Sequence, residues 1–392
     1  MLTKNINFKN FFKNKKRNNI IQIFENIKKN FFLKKDKLLS SLSEGYQYSF
    51  DKKFIQKFKK FSSFRIIGMG GSILGIEAIH QFLKHKIKKD FYFVNNLQSK
   101  IDLFQNNKKK VVNIIISKSG NTLETISNSN IILKNTKNNI FITENKKNYL
   151  ANLANKISAE IIEHKNFIGG RYSVLSEVGM LPAELMGLNE KKFKQFNVLI
   201  KNKLFLNQLI QNVGSTLDLV KKDKYISVIL NYDEKSDNLF KWYQQLIAES
   251  LGKKSKGILP LISSMPKDNH SLMQFYLDGP KKNFYTFFSV YEKNSNLINK
   301  KKLLGSHYFL KNKNLQKILY AQKKATENVF KNKKIPFRSF ELLNRSEQTL
   351  GEIFCFFILE TILLGRALKV NPFDQPSVEL IKRETKKILL KN

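Results

Sequence analysis

Short apolar runs of strand length alternate with stretches of helical spacing along most of the chain. The strand-like runs lie at residues 64–68, 91–94, 111–117 and 140–143 in the first half and at 225–230, 258–262 and 284–290 in the second. Residues 73–83 and 123–133 place apolar side chains at the three- and four-residue intervals of a helix. Because strands and helices in alternation are typical of parallel, doubly wound sheets, two such series predict an α/β fold with two lobes.

The two ends of the chain follow a different pattern. Phe8, Phe11 and Phe12, and then the apolar residues within 20–27, fall at helical intervals, which predicts surface helices packed against the body of the protein. We expect a helical segment over residues 1–50, a first lobe over 51–190, a second lobe over 191–368 and a C-terminal helical segment over 369–392. The longest apolar run, 353–364, is interrupted by Glu360 and is too short to span a bilayer, so no membrane association is expected.

Composition adds a strong positive charge. The 392 residues contain 70 Lys and Arg against 31 Asp and Glu, a net charge of +39, yet seven of these cations are arginine. Nucleic-acid-binding proteins favour arginine for bidentate phosphate contacts, and the lysines are spread along the chain, so we expect no specific nucleic-acid partner. The single cysteine, Cys355, lies in an apolar run and fits core packing in a reducing compartment. Since the N-terminus also lacks the apolar region of a secretory signal, we expect a cytoplasmic protein.

Two of the strand-like runs end in loops suited to binding an anion. After the first run come Gly68, Gly70, Gly71 and Ser72, followed by a helical pattern. Glycines let a ligand approach the backbone closely, and a helix N-terminus offers free N–H groups. The spacing matches neither the dinucleotide fingerprint nor a Walker A loop, and a plain strand-to-helix turn would use the same glycines.

The run at 111–117 leads into a second loop, which contains Ser117, Lys118, Ser119 and Thr122. Hydroxyl groups, loop N–H groups and a lysine form a suitable cradle for a phosphate monoester at the carboxyl end of a parallel strand. Ser and Thr are also favoured as helix N-caps, which is the structural alternative. The density of hydroxyls favours ligand binding.

Two further motifs supply an arginine and a carboxylate. Arg171 follows two glycines in the sequence GGRYS, and an arginine in a glycine turn can face developing negative charge in a cleft. Gln245 and Glu249 are four residues apart on one face of a helical pattern, where Glu249 can act as a general base. Taken singly, an ordinary loop arginine and an exposed helical glutamate are the more common cases.

The last two motifs contain a histidine and a lysine. His270 follows Asp268 and Asn269, and since no two of the five histidines have helical zinc-ligand spacing, no metal is expected. Near the C-terminus, the sequence NPFDQPSVELIK contains Gln375 and leads into a helical pattern with Lys382. Singly, each of these residues is more often structural than catalytic.

Together, and in this order, the six motifs resemble those of the glucose-6-phosphate isomerase family. The similarity spans residues 60–385. The first two motifs also resemble the wider sugar-isomerase (SIS) superfamily, whereas GGRYS at 169–173, ESLGK at 249–253 and the signature at 371–382 are more specific. The resemblance implies two SIS-type α/β lobes with parallel sheets flanked by helices, and a helical C-terminal extension. It also implies a homodimer that interconverts glucose 6-phosphate and fructose 6-phosphate without metal or cofactor.

The resemblance implies a role for each motif residue. Glu249 corresponds to the base that moves a proton between C1 and C2 through a cis-enediol, and Arg171 to the cation that stabilises the enediolate. His270, supplied by the neighbouring subunit, and Lys382 correspond to the residues that open the sugar ring. The remaining implied contacts divide into a phosphate cradle of Ser117, Lys118, Ser119 and Thr122 and substrate-binding residues Gly70, Gly71, Ser72, Gln245 and Gln375.

Three other functions stay open on the sequence. A related enzyme would also act on mannose 6-phosphate. A non-enzymatic SIS-type sensor would need the phosphate cradle, but not Glu249, His270 and Lys382 together. A nucleic-acid-binding protein is suggested by the charge of +39 alone.

Overall fold

Two five-stranded sheets organise the chain, which a computed structural model describes over residues 1–12, 18–33, 36–100, 110–133 and 138–391. The strands are β1 (Ile6–Lys9), β2 (Ser63–Gly68), β3 (Asp90–Val94), β4 (Val111–Ile116), β5 (Asn139–Thr143), β6 (Glu160–Glu163), β7 (Ile226–Asn231), β8 (Leu259–Ser264), β9 (Asn283–Val290) and β10 (Phe337–Leu342). Each strand-like run predicted from the sequence coincides with one of these strands, shifted at its ends by one or two residues.

Helices surround both sheets. They are α1 (Asn18–Phe32), α2 (Lys37–Ser40), α3 (Lys52–Lys59), α4 (Leu74–Phe82), α5 (Leu123–Ile132), α6 (Tyr149–Lys156), α7 (Glu177–Leu185), α8 (Phe196–Leu199), α9 (Lys203–Lys221), α10 (Asp237–Leu251), α11 (Met273–Asp278), α12 (Leu315–Asn332), α13 (Glu347–Ala367) and α14 (Val378–Leu389). The helices predicted within 20–27, 73–83 and 123–133 are confirmed by α1, α4 and α5. The predicted C-terminal helical extension is α14.

The first sheet is parallel throughout, with the order β3-β2-β4-β5-β6. In β4 the side chains from Val112 to Ile116 are all buried, as expected of a strand covered on both faces. β3 and β4 lie on opposite sides of β2, so the strand order reverses there. Ligands of open α/β sheets bind outside the carboxyl ends of the strands at such a reversal, and here Gly68 and Ile116 end side by side.

The second sheet has the order β1-β10-β9-β7-β8 and is parallel except for β1, which runs antiparallel to β10. The helical face predicted through Phe8, Phe11 and Phe12 is therefore wrong, because Phe8 lies in this edge strand. The ring of Phe8 packs against the rings of Phe340 and Phe356, with centroids 4.6 and 5.6 Å away. Contacts with residues more than 300 positions away thus override the local helical spacing.

Two other strands, β6 and β10, have no apolar run that predicts them. β6 has the sequence EIIE, and β10 contains the fully buried Arg338. The Arg338 guanidinium donates to Glu360, to the side chain of Asn212 and to the hydroxyl of Tyr243. Because these distant partners neutralise and hydrogen-bond the charge, a segment that looks polar in the sequence becomes a buried strand.

The helix α13 is buried along almost its whole length and contributes much of the main hydrophobic core. Cys355 is fully buried within it, which confirms the predicted packing role. Burial raises the pKa of the Cys355 thiol to about 12. Across the parts of the chain that the structure describes, no helix combines the length and apolar character that crossing a bilayer requires.

Candidate active site

The glycine turn after β2 packs directly against the turn that contains Arg171. A 3-10 turn at Gly70–Ser72 joins β2 to α4, and a second one, Gly170–Leu175, contains the arginine. A Cβ atom on Gly71 would lie 2.2 Å from the carbonyl carbon of Gly170, so any side chain there would push the two turns apart. The Ser173 hydroxyl also donates to the carbonyl of Gly71 at 3.3 Å. Two motifs that are 100 residues apart in the sequence therefore form one surface.

Arg171 is buried, and all five N–H donors of its guanidinium are used. Its partners come from α10 and from the segment before α14: the Ser250 hydroxyl (Nε, 2.7 Å), the Glu249 carboxylate (Nη1, 3.0 Å), the side-chain oxygen of Gln375 (Nη1, 2.8 Å), and the carbonyls of Pro372 (Nη2, 2.7 Å) and Asp374 (Nη2, 3.0 Å). These contacts fix the planar group in one orientation. A permanent positive charge therefore lies beside the Glu249 carboxylate.

One face of α10 presents Gln245 and Glu249 together, as their spacing predicts. The Gln245 Nε2 donates to Glu249 Oε2 at 2.9 Å. Gln245 also meets the glycine turn, because a Cβ on Gly70 would lie 2.8 Å from that Nε2, and Gly70 itself has a positive φ of 53°. Ser72, at the end of the same turn, is buried. The Oε1 of Gln245 is buried without a hydrogen-bond partner among the described residues, so it can accept one from a bound hydroxyl.

The loop after β4 places its hydroxyl groups at the start of α5. The Ser117 hydroxyl lies 2.8 Å from the hydroxyl of Thr122, which is the N-cap residue of the helix. The Ser119 hydroxyl accepts from the N–H of Asn121 at 3.2 Å. Gly120 adopts a positive φ of 66°, which allows the loop to turn back on itself. Hydroxyls and free helix N–H groups thus face the same end of the sheet as the glycine turn.

Lys118 is already engaged by acceptors outside this loop. Its ammonium donates to the carbonyl of Asn166 at 2.7 Å and lies 3.6 Å from the Glu144 carboxylate. Burial lowers the pKa of Lys118, and the nearby Glu144 partly offsets this effect. Lys118 lines a cavity of about 720 Å³ together with Gly169 and Tyr172, which belong to the arginine turn. Lys118 and the arginine turn therefore border one cavity.

His270 and Lys382 lie apart from this cluster. His270 is the exposed last residue of the 3-10 turn Lys267–His270, which follows β8. Lys382 is on α14, a helix with no buried residue, and its ammonium bonds Glu379 one turn away at 2.6 Å. Within the described ranges, neither side chain hydrogen-bonds Glu249 or Arg171. The single chain thus brings residues from five of the six predicted motifs into one region and leaves His270 and Lys382 outside it.

Three residues that the motif assignment left without a role also hold the site together. The Ser250 hydroxyl accepts from Arg171, and the Tyr172 hydroxyl lies 3.0 Å from that of Ser250. Lys253 forms an ion pair with Asp374 at 2.9 Å. Ser250 and Lys253 both occur in the ESLGK motif, so that motif could have identified them from the sequence. Which partners they contact depends on how α10 meets the C-terminal segment, and spacing does not reveal that.

The arrangement can support proton transfer next to an anionic oxygen. Glu249 provides a carboxylate that is partly exposed, with 19% of its side chain accessible, and Arg171 provides a cation in contact with it. A base beside a fixed cation can remove a proton adjacent to a carbonyl while the cation stabilises the charge that develops. The loop after β4 can hold a phosphate group at a distance from the reacting carbons.

Comparisons with known proteins show which family the chain is similar to. The model of the family described as phosphoglucose isomerase matches residues 51–392. A glucose-6-phosphate isomerase of Methanocaldococcus jannaschii is 31% identical, with 85% of this chain and 86% of the relative aligned. A glucose-6-phosphate isomerase of Mycoplasmopsis pulmonis is 34% identical, with 83% of this chain and 82% of the relative aligned.

Solved structures share the fold at lower identity. The crystal structure of a hypothetical protein from Thermus thermophilus superposes with a TM-score of 0.77 at 23% identity, covering 86% of this chain and 87% of that one. A glucose-6-phosphate isomerase from Chlamydia trachomatis superposes with a TM-score of 0.68 at 20% identity, covering 86% and 71%. The predicted architecture of two α/β units with a C-terminal helix is confirmed.

Proposed function

The chain belongs to the phosphoglucose isomerase family, and on that premise we propose that it interconverts glucose 6-phosphate and fructose 6-phosphate. The observation that carries the proposal is the 3.0 Å contact between Arg171 and Glu249 at the carboxyl end of the first sheet. A base and a cation are in place there, and the loop after β4 lies at the same edge of the sheet.

Glu249 acts as the base in both directions. Its carboxylate removes the proton from C2 of the open-chain aldose, and the C–H electron pair forms the C1–C2 double bond of an enediolate. The carbonyl oxygen takes up the negative charge, which Arg171 stabilises. The protonated Glu249 then returns the proton to C1, while a hydroxyl proton moves from O2 to O1, and the ketose results.

The phosphate group binds in the loop after β4. The hydroxyls of Ser117, Ser119 and Thr122 and the N–H groups at the start of α5 contact its oxygens, and the Lys118 ammonium adds charge nearby. Ser72, Gln245 and Gln375 position the sugar hydroxyls. Binding energy from this remote group orients the reacting carbons and so contributes to turnover.

Ring opening uses His270 and Lys382, and the active form is a homodimer in which His270 comes from the neighbouring subunit. The exposure of His270 and its separation from Glu249 support this arrangement. Exposed apolar side chains beside it, Leu272 and Phe275, are suited to a contact between subunits. Sedimentation analysis tests the dimer, and a monomer at assay concentration with full activity would contradict it.

The test of the proposed activity is direct. Purified protein is mixed with fructose 6-phosphate, and glucose 6-phosphate formation is followed by a coupled dehydrogenase without added metal in the isomerase step. Turnover is expected. Inactivity of protein that is folded by circular dichroism would overturn the proposal.

The same preparation distinguishes the two other sugar-phosphate functions. Mannose 6-phosphate offered beside glucose 6-phosphate should be converted far more slowly, because the ESLGK and GGRYS motifs match the narrower family. A sensor protein would bind sugar phosphates without converting them. Equal rates on both aldoses would identify a bifunctional enzyme instead.

We also propose that the chain works in the cytoplasm without a specific nucleic-acid partner. The lobes would comprise residues 51–190 and 191–368, preceded by the N-terminal segment 1–50 and followed by the C-terminal segment 369–392. Cell fractionation tests the location. Binding to unrelated DNA sequences should be uniformly weak and lost at modest salt. Lysines spread over the surface bind DNA only through the release of counterions, and added salt opposes that release.

A further inference from the structure

Lys253 and Asp374 belong to two motifs but have no role in the proposed reaction, and the structure places them against each other. The Lys253 Nζ lies 2.9 Å from Asp374 Oδ1, donates to the carbonyl of Ser250 at 3.0 Å and also donates to the carbonyl of Asn371. An ammonium has three N–H donors, so these acceptors use all of them. Lys253 is therefore engaged inside the protein, and it has no donor left for a substrate.

Residues 371–375, the C-terminal loop, are held by two cations. Arg171 donates to the carbonyls of Pro372 and Asp374, and Lys253 to that of Asn371. Gln375, the last residue of the loop, accepts from Arg171 Nη1 at 2.8 Å. Both cations also hydrogen-bond Ser250, so the loop is joined to the end of α10 just beyond Glu249.

We propose that Lys253 and Asp374 are positioning residues, which hold the C-terminal loop so that Gln375 reaches Arg171 and α14 begins at a fixed place. This inference rests on the proposed function. Since α14 has no buried residue, the C-terminal loop is what ties Lys382 to the body of the chain in the described structure. Loss of the pair would let Gln375 and Lys382 move relative to Glu249.

The exposure of Asp374 separates this role from a general contribution to stability. The side chain of Asp374 is 51% exposed, and ion pairs that are open to water add little to folding. The hydrogen bond from Lys253 lowers the pKa of Asp374, so its carboxylate stays ionised throughout the neutral range. Its removal should therefore change turnover much more than melting temperature.

The experiment compares Lys253→Met and Asp374→Asn with a matched control pair, Lys333→Met and Asp278→Asn. Lys333 and Asp278 form an ion pair of 2.8 Å away from the site; Asp278 is about as exposed as Asp374, at 55% against 51%, whereas Lys333 is more exposed than Lys253, at 46% against 11%. We expect kcat of Lys253→Met and Asp374→Asn to fall roughly 10- to 100-fold, because small misplacements of reacting groups have effects of that size. KM should change by less than about threefold, since the phosphate cradle is untouched.

Two further variants sharpen the test. Lys253→Arg keeps a cation with several donors and should recover part of the lost kcat. The double variant should be no slower than the slower single variant, because both changes break one interaction. Control variants should retain wild-type kcat.

Each outcome is decisive. If Asp374→Asn melts like the wild type and keeps the kcat of its control, the positioning role is overturned, whatever happens to Lys253→Met. The positioning role is also overturned if the fold-losses of kcat in the two single variants multiply in the double variant. An inactive wild-type protein would instead overturn the proposed function, so the two failures are distinguishable.

Discussion

Arg171 divides its Nη1 donors between Glu249 and Gln375, and this division suits the proposed reaction. When Glu249 takes the substrate proton, its negative charge disappears as negative charge appears on the enediolate oxygen. Hydrogen bonds to charged acceptors are the stronger ones, so the Arg171 donor is drawn from the carboxyl group to the enediolate. The cation therefore follows the charge with a small displacement, and its other four hydrogen bonds keep it in place.

Replacing Glu249 by Gln should lower kcat roughly 10²- to 10⁴-fold, because the general base is lost while the shape of the side chain is retained. Binding of substrate should change little, since the phosphate contacts are elsewhere. Steady-state kinetics on both substrates checks this. Glu25→Gln, a change on the exposed side of α1, serves as the control for a simple loss of charge. An unchanged kcat would remove Glu249 from its role.

Lys194 is a buried lysine whose ammonium donates to the carbonyls of Ser41 and Leu175. Leu175 ends the 3-10 turn that contains Arg171, so this lysine ties the N-terminal segment to that turn. The aromatic and titratable side chains around its ammonium are Tyr46, Tyr48, Glu177, Glu190 and Cys355. Burial dominates and lowers the pKa of Lys194 to about 7.

The sign of the resulting pH dependence follows from linkage. The unfolded lysine has a pKa of about 10.4, so between pH 7 and pH 10 the unfolded chain binds more protons at this position than the folded one. Stability from this group should therefore rise with pH in that window and be constant below it. We expect the free energy of unfolding, measured by urea titration, to rise more steeply for wild type than for Lys194→Met. Parallel curves would contradict the assignment, and Lys333→Met is the control.

At the scale of single residues, the sequence motifs identified much of the cluster. Hydrogen bonds join Arg171, Gln245, Glu249 and Gln375, which the motifs singled out one at a time. The hydrogen bond from Arg171 to Ser250 was not predictable, because it depends on the angle at which the arginine turn meets α10. Side-chain pairs across elements are set by packing, and spacing within one motif carries no information about them.

At the scale of elements, apolar runs predicted the central strands but did not predict β1 and β10. Strands such as β4 and β9 are buried on both faces, so their sequences are mostly apolar and easily recognised. β1 is a short edge strand, and β10 depends on Arg338, whose charge is compensated from other elements. Elements whose stability comes from distant partners have weak local signals, and for that reason these two were missed.

The turn before α5 supplies an element-scale prediction. Gly120 has a φ of 66°, and a Cβ there would lie 1.8 Å from Oδ1 of Asn148. Asn148 caps α6 through that same oxygen, which accepts from the N–H of Ala151. Gly120→Ala should therefore displace the loop that contains Ser117 and Thr122. We expect kcat/KM to fall at least about tenfold, mainly through a higher KM, because phosphate binding is weakened.

Gly187 provides a control that separates the steric contact with Asn148 from backbone strain. Gly187 also has a positive φ, 86°, but a Cβ there would have no heavy atom within 4 Å. Gly187→Ala should therefore show only the backbone cost of about 1 kcal/mol in thermal or urea unfolding, with kinetics unchanged. If both variants lost kcat/KM equally, the steric contact with Asn148 would not be the reason.

At the scale of the whole molecule, the charge of +39 is distributed over the surface more than concentrated in the site. The cations closest to the proposed reaction are already engaged, as the contacts of Arg171, Lys253 and Lys118 show. The excess lysine charge can raise the local concentration of an anionic substrate modestly at low salt. Specificity arises from the few fixed groups, and the remaining cations do not define the function.

The proposed dimer yields a prediction that single-subunit catalysis cannot reproduce. If His270 completes the site that contains the neighbour's Glu249, each site takes its histidine from one subunit and its glutamate from the other. His270→Ala and Glu249→Gln then remove groups that different subunits contribute to a site. In a mixed two-fold dimer of these variants, one site receives both defects and the other receives none. Subunits unfolded together and refolded at equal amounts should therefore recover roughly a quarter of the wild-type rate, whereas each variant refolded alone stays inactive. A mixture that remains as inactive as its components would place His270 in the same subunit as Glu249, whereas a fully active His270→Ala variant would place it outside the reaction.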